Sequence, residues 1–425
     1  MRKIAIGLFL LSLYCHSFSQ SDPLQQVVSN RSNSIEQQKK PYVILISADG
    51  FRYDYAEKYQ AGNLLALSNS GVRAASMIPS YPSLTFPNHY SLVTGLYPSH
   101  HGIVSNYFYD KTIEQVYSMK GDSTVGDGKW YGGTPLWVLA EQQQMLTASF
   151  YWIGSEAAIQ QTRPTYYYKY ESNESFTIDQ RIQVVVNWLQ LPVEKRPHLI
   201  TFYISDVDHA GHTYGPDAPE TREAVLGVDA AIGKMVKAVS ATGLPVNFIF
   251  LADHGMTRID TSRHLFMPAV VDSSKFVIPR GLELVALYAK NKKDILPLYQ
   301  QLKKQEKYFK TYLPTNMPAY LHYSKSDDRM NRIGDILLIP DWPYTFANRG
   351  RKLNPGAHGF NAYLIKDMHA TFFAWGPAFK NIKIDSFENV NVYPVISAIL
   401  GLPYSFKIDG TPALAKQILK IRSSL

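Results

Sequence analysis

Seven side chains spread over the 425 residues could bind a metal ion or act as a nucleophile. They comprise three carboxylates, three imidazoles and one hydroxyl: Asp49, Asp208, Asp253, His212, His254, His358 and Thr85. This set of donors is too hard for copper and too rich in nitrogen for Mg²⁺ or Ca²⁺, whereas it suits Zn²⁺. Because one tetrahedral ion needs only four ligands, the set predicts two Zn²⁺ ions, on the order of 4 Å apart.

The spacing of Asp208 and His212 is suited to holding one metal ion. The two residues are four apart in the polar segment 205–212, which we expect to be a loop, and Gly211 between them allows a tight turn. On spacing alone, the alternative is a polar surface loop without any ligand.

Other candidate ligands follow apolar runs of the chain. Asp49 comes just after 41–47, and the pair Asp253 and His254 comes just after 246–251. Such runs are typical of strands buried on both faces of a parallel sheet, and open α/β sheets build their sites at the carboxyl ends of these strands. Asp49 with the following glycine could instead form a plain turn.

Thr85 precedes an apolar segment that we expect to form a short helix. Threonine is a favoured N-cap, and Pro87 suits the first helical turn. The Thr85 hydroxyl would then lie at the positive end of a helix dipole, where an alkoxide or a phosphate is stabilised. Taken alone, the pattern favours an ordinary cap, and only the Asp and His residues elsewhere in the chain support a functional role.

The elements that must position these residues alternate between apolar strands and helical patterns, which is typical of an α/β fold. We predict strands at 41–47, 148–152, 198–204, 246–251 and 371–375, and helices at 64–71, 182–189, 217–239 and 393–400. From about 260 to 350 short alternating runs replace this pattern. We therefore expect a mostly parallel central sheet flanked by helices, in one catalytic domain over 41–425 with a small α+β cap insertion at about 260–350.

The N-terminal segment indicates secretion. Residues 1–19 have the basic start, apolar run and small-residue cleavage site of a signal peptide, and the run is too short to anchor the chain in a membrane. Cys15, the only cysteine, lies inside this leader, and a secreted chain without disulfides fits the bacterial periplasm. Residues 20–40 are polar and predict a flexible lead-in.

Composition narrows the range of partners. The formal net charge of +8 is modest for this length, and the chain has no block of lysine and arginine. We therefore expect no stable nucleic-acid partner, while a small anionic substrate is compatible with the charge. The oligomeric state is left open.

Together the motifs resemble the nucleotide pyrophosphatase/phosphodiesterase family of the alkaline phosphatase superfamily. The resemblance covers about 41–410, in family order, and rests on Asp49-Gly50-Phe51-Arg52, Thr85-Phe86-Pro87-Asn88-His89-Tyr90, Asp208 with Gly211-His212, Asp253-His254-Gly255-Met256 and His358-Gly359. The chain departs from the family at Ser205-Asp206-Val207, where many members carry Glu-Glu-Pro, and at Leu84, where some carry lysine. Either difference could alter substrate preference.

The resemblance implies a role for each candidate residue. One zinc site would hold Asp208, His212 and His358, and the other Asp49, Asp253, His254 and the Thr85 oxygen. Asn106 would donate a hydrogen bond to a phosphoryl oxygen. Phe86 and Tyr203 would hold a nucleobase between them, although core packing is the alternative for these two rings.

The implied function is a secreted two-zinc phosphodiesterase or nucleotide pyrophosphatase. The Thr85 alkoxide would form a covalent phospho-threonine ester and release a nucleoside 5′-monophosphate. A lysophospholipid or choline phosphodiesterase and a phosphate monoesterase of the same superfamily are the alternatives. A non-catalytic binding protein is disfavoured because the nucleophile and all six metal ligands are present.

Overall fold

A nine-stranded sheet forms the centre of the computed structural model, which describes residues 24–171, 175–350 and 352–420. Its strands lie in the order Gln26–Val27, Tyr166–Tyr168, Thr147–Phe150, Leu199–Ile204, Tyr42–Ala48, Val246–Leu251, Phe372–Trp375, Val72–Ala74 and Ile382–Ile384. The neighbours from Tyr166–Tyr168 to Val246–Leu251 pair in parallel, and Phe372–Trp375 is antiparallel to both of its neighbours. The predicted α/β class with a mostly parallel sheet is confirmed.

Three neighbouring strands in the middle of this sheet are buried along their whole length: Leu199–Ile204, Tyr42–Ala48 and Val246–Leu251. Their near-continuous Val, Ile, Leu and Phe side chains face helices on both sides, as parallel strands require. Ala48 pairs with Ile204, and Leu251 pairs with Ser47, so the three strands end at the same level.

Helices cover the sheet and fill the connections. The α-helices are Tyr55–Lys58, Gly62–Asn69, Thr85–Thr94, Pro98–His101, Asp122–Val125, Leu136–Gln142, Ile178–Leu189, Asp206–Tyr214, Pro219–Ser240, Ile295–Lys304, Val392–Leu400 and Ala413–Ile418. Within the part of the chain that the structure describes, none of the helices is long and apolar enough to cross a membrane.

A second, smaller sheet forms between residues 276 and 340. It is antiparallel, in the order Phe276–Val277, Val285–Ala289, Ile336–Pro340 and Phe309–Tyr312. The helix Ile295–Lys304 packs on it through Leu298 and Leu302, which belong to a hydrophobic cluster separate from the main core. Two-stranded ladders complete the described structure: Tyr107–Asp110 with Gln115–Ser118, Met77–Ile78 with Phe387–Glu388, and Thr257–Arg258 with Gly356–Ala357.

Residues 24–40 pack against the main sheet instead of forming the flexible lead-in that their polar composition predicts. The strand Gln26–Val27 extends the sheet edge. Asn33 is buried, and its side chain donates to two backbone carbonyls within 193–196 and accepts from the Leu146 N–H. These polar residues are therefore ordered by hydrogen bonds to distant backbone groups, while the predicted signal peptide lies outside the described residues.

Arg332 joins the segment of the smaller sheet to the main body of the protein. Its side chain is buried and donates from Nε to Asp110 Oδ2 at 2.7 Å, and from one terminal nitrogen to the carbonyls of Gly102 and Trp130. Burial works to raise the pKa of Asp110, but the hydrogen bond and charge of Arg332, together with the backbone N–H groups of Thr112 and Ile113, prevail and lower it. The ion pair thus stabilises the fold above the usual pKa of aspartate and loses that contribution as the pH falls.

Substitution Arg332→Ala should lower the free energy of unfolding by about 3–5 kcal/mol at neutral pH, because the buried carboxylate of Asp110 loses its charged partner and keeps only the backbone N–H groups of Thr112 and Ile113. Arg329→Ala is the matched control, since the Arg329 side chain is 44% exposed and should cost no more than about 1 kcal/mol. Denaturant unfolding followed by tryptophan fluorescence measures both values. Equal losses in the two variants would contradict the role given to Arg332.

Candidate active site

The three candidate carboxylates lie together at the carboxyl ends of the three central strands. Asp49 follows the strand Tyr42–Ala48, and Asp253 follows the strand Val246–Leu251. Asp208 lies four residues after the end of the strand Leu199–Ile204. This convergence follows directly from the parallel order of the strands, whose carboxyl ends meet at one edge.

Gly50 allows two of these carboxylates to approach each other. It has a φ of +69°, and a Cβ atom at this position would lie 2.9 Å from the Asp208 Cα. Any other residue would therefore be strained and would push the Asp208 segment away from Asp49.

Asp208 and His212 lie on a helix, Asp206–Tyr214, so the prediction of a loop for 205–212 is wrong. Acidic Asp206 and Asp208 occupy its first turn and His212 its last, which suits the helix dipole at both ends. The spacing argument holds for a different reason: residues four apart on a helix share one face. Asp208 Oδ1 is 3.6 Å from His212 Nε2.

His358 completes the first group of candidate ligands. It follows the short strand Gly356–Ala357, and its Nε2 is 3.5 Å from Asp208 Oδ1. The ligand atoms of Asp208, His212 and His358 all lie within 4.8 Å of one another.

Asp49, Asp253 and His254 form a second group with the same property, and all three are buried. His254 Nε2 is 2.9 Å from Asp253 Oδ2 and 3.3 Å from Asp49 Oδ1. The two groups adjoin, because the rings of His254 and His358 stack with their centroids 3.6 Å apart.

Hydrogen bonds to the backbone orient all three imidazoles. Each Nδ1 lies 2.9 Å from a carbonyl oxygen: His212 from that of Gly356, His254 from that of Gly255, and His358 from that of Ser83. Because a carbonyl can only accept, each Nδ1 carries a hydrogen, and each Nε2 is left facing the carboxylates as the ring atom that could bind a metal. This is the arrangement by which proteins orient metal-binding histidines.

Three carboxylate oxygens at the centre of the site are buried without a hydrogen bond to any described residue. They are Asp49 Oδ1, Asp208 Oδ1 and Asp253 Oδ2. Buried carboxylate oxygens without partners are costly, so oxygens that face imidazole nitrogens indicate a binding site for a cation. The mixed oxygen and nitrogen donors of both groups fit a divalent metal such as Zn²⁺.

The pKa shifts of the candidate ligands reflect their burial and the charges that lie close to one another in the site. Burial and the charges of Asp253 and Asp208 raise the pKa of Asp49 well above its usual range. Burial opposes ionisation of Asp253 as well, but the attraction of His254 prevails and lowers its pKa. Burial and the neighbouring imidazoles hold the pKa of His358 well below its usual range, so this ring is neutral and able to bind a metal at pH 7.

Thr85 lies beside the second group and is the first residue of the helix Thr85–Thr94. The N-cap is Leu84, so the prediction that Thr85 caps this helix is wrong by one residue. Its hydroxyl is therefore not occupied by capping, and Oγ1 lies 3.2 Å from His254 Nε2. The hydroxyl, the second ligand group and the positive end of a helix coincide in space.

Asn106 lies close to the same helix end. Its Oδ1 accepts from the Phe86 N–H at 3.0 Å. Because a backbone N–H can only donate, the amide oxygen must face it, and the Nδ2 group remains as a donor. The structure thus leaves the amide N–H groups of Asn106 compatible with the predicted hydrogen bond to a phosphoryl oxygen.

The aromatic residues near Thr85 form a group of three rings, whereas the sequence predicts a pair, Phe86 and Tyr203. Phe86 and Tyr203 are buried, and Tyr203 donates its hydroxyl to Asp49 Oδ2 at 2.7 Å. Half-buried Tyr170 packs on both, with ring centroids 5.4 Å from Phe86 and 5.5 Å from Tyr203.

Sequence reasoning missed Tyr170. The signal was the tyrosine-rich run 166–170, since a strand there would place Tyr170 at the same carboxyl edge as the other site residues.

Comparison with known proteins decides the family. A family model described as "Type I phosphodiesterase / nucleotide pyrophosphatase" matches residues 43–361. The chain belongs to the nucleotide pyrophosphatase/phosphodiesterase family. The predicted membership is confirmed.

Curated relatives include ectonucleotide pyrophosphatase/phosphodiesterase family member 1 of Mus musculus, which is 34% identical over 380 residues, covering 86% of this chain and 41% of the relative. Venom phosphodiesterase CdcPDE of Crotalus durissus collilineatus is 34% identical over 392 residues, covering 89% of this chain and 46% of the relative. The chain thus spans less than half the length of these relatives.

Solved structures include murine ectonucleotide pyrophosphatase/phosphodiesterase 5, with a TM-score of 0.82 and 27% identity over 89% of this chain and 100% of that chain. An inactive threonine-to-alanine variant of that murine protein, in complex with AMP, also matches with a TM-score of 0.82 and 27% identity, covering 90% of this chain and 100% of that chain.

Substitution His212→Ala should weaken Zn²⁺ binding at the first group by at least about 100-fold, because loss of a ligand costs more than loss of its supporting contacts. His209→Ala is the matched control, since His209 is an exposed residue of the same helix. Competition with a chromophoric chelator gives the affinities, and metal analysis gives the Zn²⁺ content. The same content and affinity in both variants would show that His212 is not a ligand.

Proposed function

We propose that this chain is a secreted zinc-dependent phosphodiesterase and nucleotide pyrophosphatase that releases nucleoside 5′-monophosphates. The observation that carries the proposal is the position of Thr85 Oγ1, 3.2 Å from His254 Nε2, beside three buried carboxylate oxygens without hydrogen bonds to described residues. The family, the ectoenzyme names of the relatives and the AMP complex of the murine protein support it.

Two metal positions follow from the ligand groups. Asp208, His212 and His358 would hold one Zn²⁺. Asp49, Asp253 and His254, with the Thr85 oxygen, would hold the other. Bound zinc supplies Lewis acidity that favours ionisation of a nearby hydroxyl and neutralises charge on a phosphoryl group.

The chain's own residues then account for the reaction. Thr85 Oγ1 gives up its proton to solvent and attacks phosphorus in line, forming a phospho-threonine ester while the bond to the leaving oxygen breaks and the leaving group departs. The Nδ2 group of Asn106 donates to a phosphoryl oxygen, where charge increases in the transition state. Water then attacks the same phosphorus from the opposite side, which releases the nucleoside 5′-monophosphate and restores the Thr85 hydroxyl.

The nucleoside would bind beside Phe86 and Tyr170. Phe86 directly follows the nucleophile, so its ring lies at a fixed distance from the reacting phosphorus. Tyr170 is the more exposed of the rings in this group and therefore offers a face on which a base can stack. Tyr203, the partner implied by the family resemblance, would act mainly through its hydrogen bond to Asp49.

Substitution Thr85→Ala should lower kcat by at least about 10³-fold, because it removes the nucleophile. The assay compares thymidine 5′-(4-nitrophenyl phosphate) with 4-nitrophenyl phosphate, with and without chelator. Thr94→Ala serves as control, since its buried hydroxyl bonds only within the same helix to the Tyr90 carbonyl.

The proposal requires the diester to be the preferred substrate of the wild type, and its hydrolysis to stop in Thr85→Ala and in chelator. A faster monoester would instead identify a phosphatase. Activity towards neither substrate, with Zn²⁺ bound, would favour a choline or lysophospholipid diester, whose quaternary ammonium could bind the same aromatic rings.

Substitution Tyr170→Ala should lower kcat/KM for the thymidine diester by about 5- to 150-fold. This range corresponds to the loss of about 1–3 kcal/mol of stacking free energy for one base. Tyr170→Phe keeps the ring and should retain most of the activity. Methyl 4-nitrophenyl phosphate, which has the same leaving group but a methyl ester in place of the nucleoside, is the control substrate and should be hydrolysed at similar rates by all variants. An equal loss on both substrates would rule out a base-stacking role.

A further inference from the structure

His89 is fully buried in the second turn of the helix Thr85–Thr94 and contacts three elements of the site at once. Its Nδ1 is 3.0 Å from the Thr85 carbonyl oxygen and 3.3 Å from Asp253 Oδ2. On its other side, Nε2 is 2.8 Å from Ser47 Oγ, in the strand that leads to Asp49.

The hydrogen-bond partners determine how this ring is protonated at each nitrogen. The Thr85 carbonyl can only accept, so Nδ1 of His89 carries a hydrogen, with the carboxylate oxygen of Asp253 beside it. The Ser47 hydroxyl can donate to Nε2, which completes the hydrogen bonds of the imidazole.

Packing fixes the orientation of the ring. Trp152 and Tyr203 contact His89 edge to face, each with its ring centroid 5.2 Å from the imidazole. Tyr203 in turn donates to Asp49, so the aromatic residues that hold His89 also contact a candidate metal ligand. The imidazole therefore has little freedom to turn away from Asp253.

We propose that His89 is a positioning residue that sets the geometry of the second metal site relative to the nucleophile. The proposal rests on the proposed function, because Asp253 needs positioning only as a metal ligand. The ring links the first turn that carries Thr85, the carboxylate of Asp253 and the strand that precedes Asp49. Partners of this kind, one shell beyond the metal, usually affect metal affinity and activity together.

The opposing interpretation is a buried histidine that only stabilises the core. His101 is a matched example of that kind within this protein. It is also fully buried against the helix Thr85–Thr94, and its Nε2 is 3.0 Å from Ser91 Oγ and 3.2 Å from the Pro87 carbonyl oxygen. His101 thus has the same burial and similar contacts, but its partners are not candidate metal ligands.

The test compares His89→Gln, His89→Asn and His101→Gln in the full chain, using Zn²⁺ itself as the probe. His89→Gln should weaken Zn²⁺ binding at one site by about 10–100-fold, and should lower kcat for the thymidine diester more than it changes KM. His89→Asn should recover most of the affinity, because its amide nitrogen can occupy the position of Nδ1. His101→Gln should leave Zn²⁺ affinity at the wild-type value.

Equal Zn²⁺ affinities for wild type and His89→Gln would overturn the positioning role while leaving the zinc enzyme intact. A wild-type chain that binds no Zn²⁺ would overturn the metal site, and His89's role with it. If the His89 variants do not fold, Ser47→Ala decides, since it keeps the ring and removes only the Nε2 partner. A smaller loss of Zn²⁺ affinity supports the proposal in that variant, and unchanged affinity overturns it.

Discussion

The structure depends on the convergence of three carboxylates that repel one another, of which Asp49 and Asp253 are buried and Asp208 is partly exposed. Asp49, Asp208 and Asp253 come together because their strands are parallel neighbours that end at one level. The pKa of Asp49 is raised because burial and the repulsion from Asp253 and Asp208 destabilise its charged form. An apolar core of long, fully buried strands tolerates that cost, and a bound cation would offset it, which couples metal binding to the stability of the fold.

The imidazoles reach the same point from different parts of the chain, and backbone atoms determine their directions. His212 and His358 belong to a helix and to a distant loop, yet the Gly356 carbonyl orients His212 from the loop that carries His358. This requires the two backbones to touch: a Cβ atom on Gly356 would lie 2.0 Å from the Gly211 carbonyl oxygen. Ligand geometry is therefore set by close backbone packing, which side-chain motion cannot easily relax.

Long apolar runs predict the buried central strands, because such runs are typical of parallel strands, and the ends of two of these runs select Asp49, Asp253 and His254 as candidates. The outer strands Gln26–Val27, Tyr166–Tyr168 and Ile382–Ile384 are not predicted. The helix Asp206–Tyr214 was missed since its polar residues and Gly211 resemble a loop, and its formation depends on tertiary packing. The order of residues 24–40 depends on contacts such as those of Asn33 with distant backbone, which no local pattern contains. Tyr170 can likewise be recognised as a residue near the site only after the preceding strand, Tyr166–Tyr168, is placed in the sheet.

A single helical turn carries several of the functions proposed for this site, and this has a consequence for specificity. Thr85 offers its hydroxyl, Phe86 binds Asn106 through its N–H and Tyr170 through its ring, and the Thr85 carbonyl binds His89. The distance between the nucleophile and the aromatic surface is thus fixed by adjacent residues of one backbone. If the proposed base stacking takes place on Tyr170, which packs on Phe86, the phosphorus would be presented to Thr85 at a set distance, and recognition of the nucleoside would also align the phosphorus for attack.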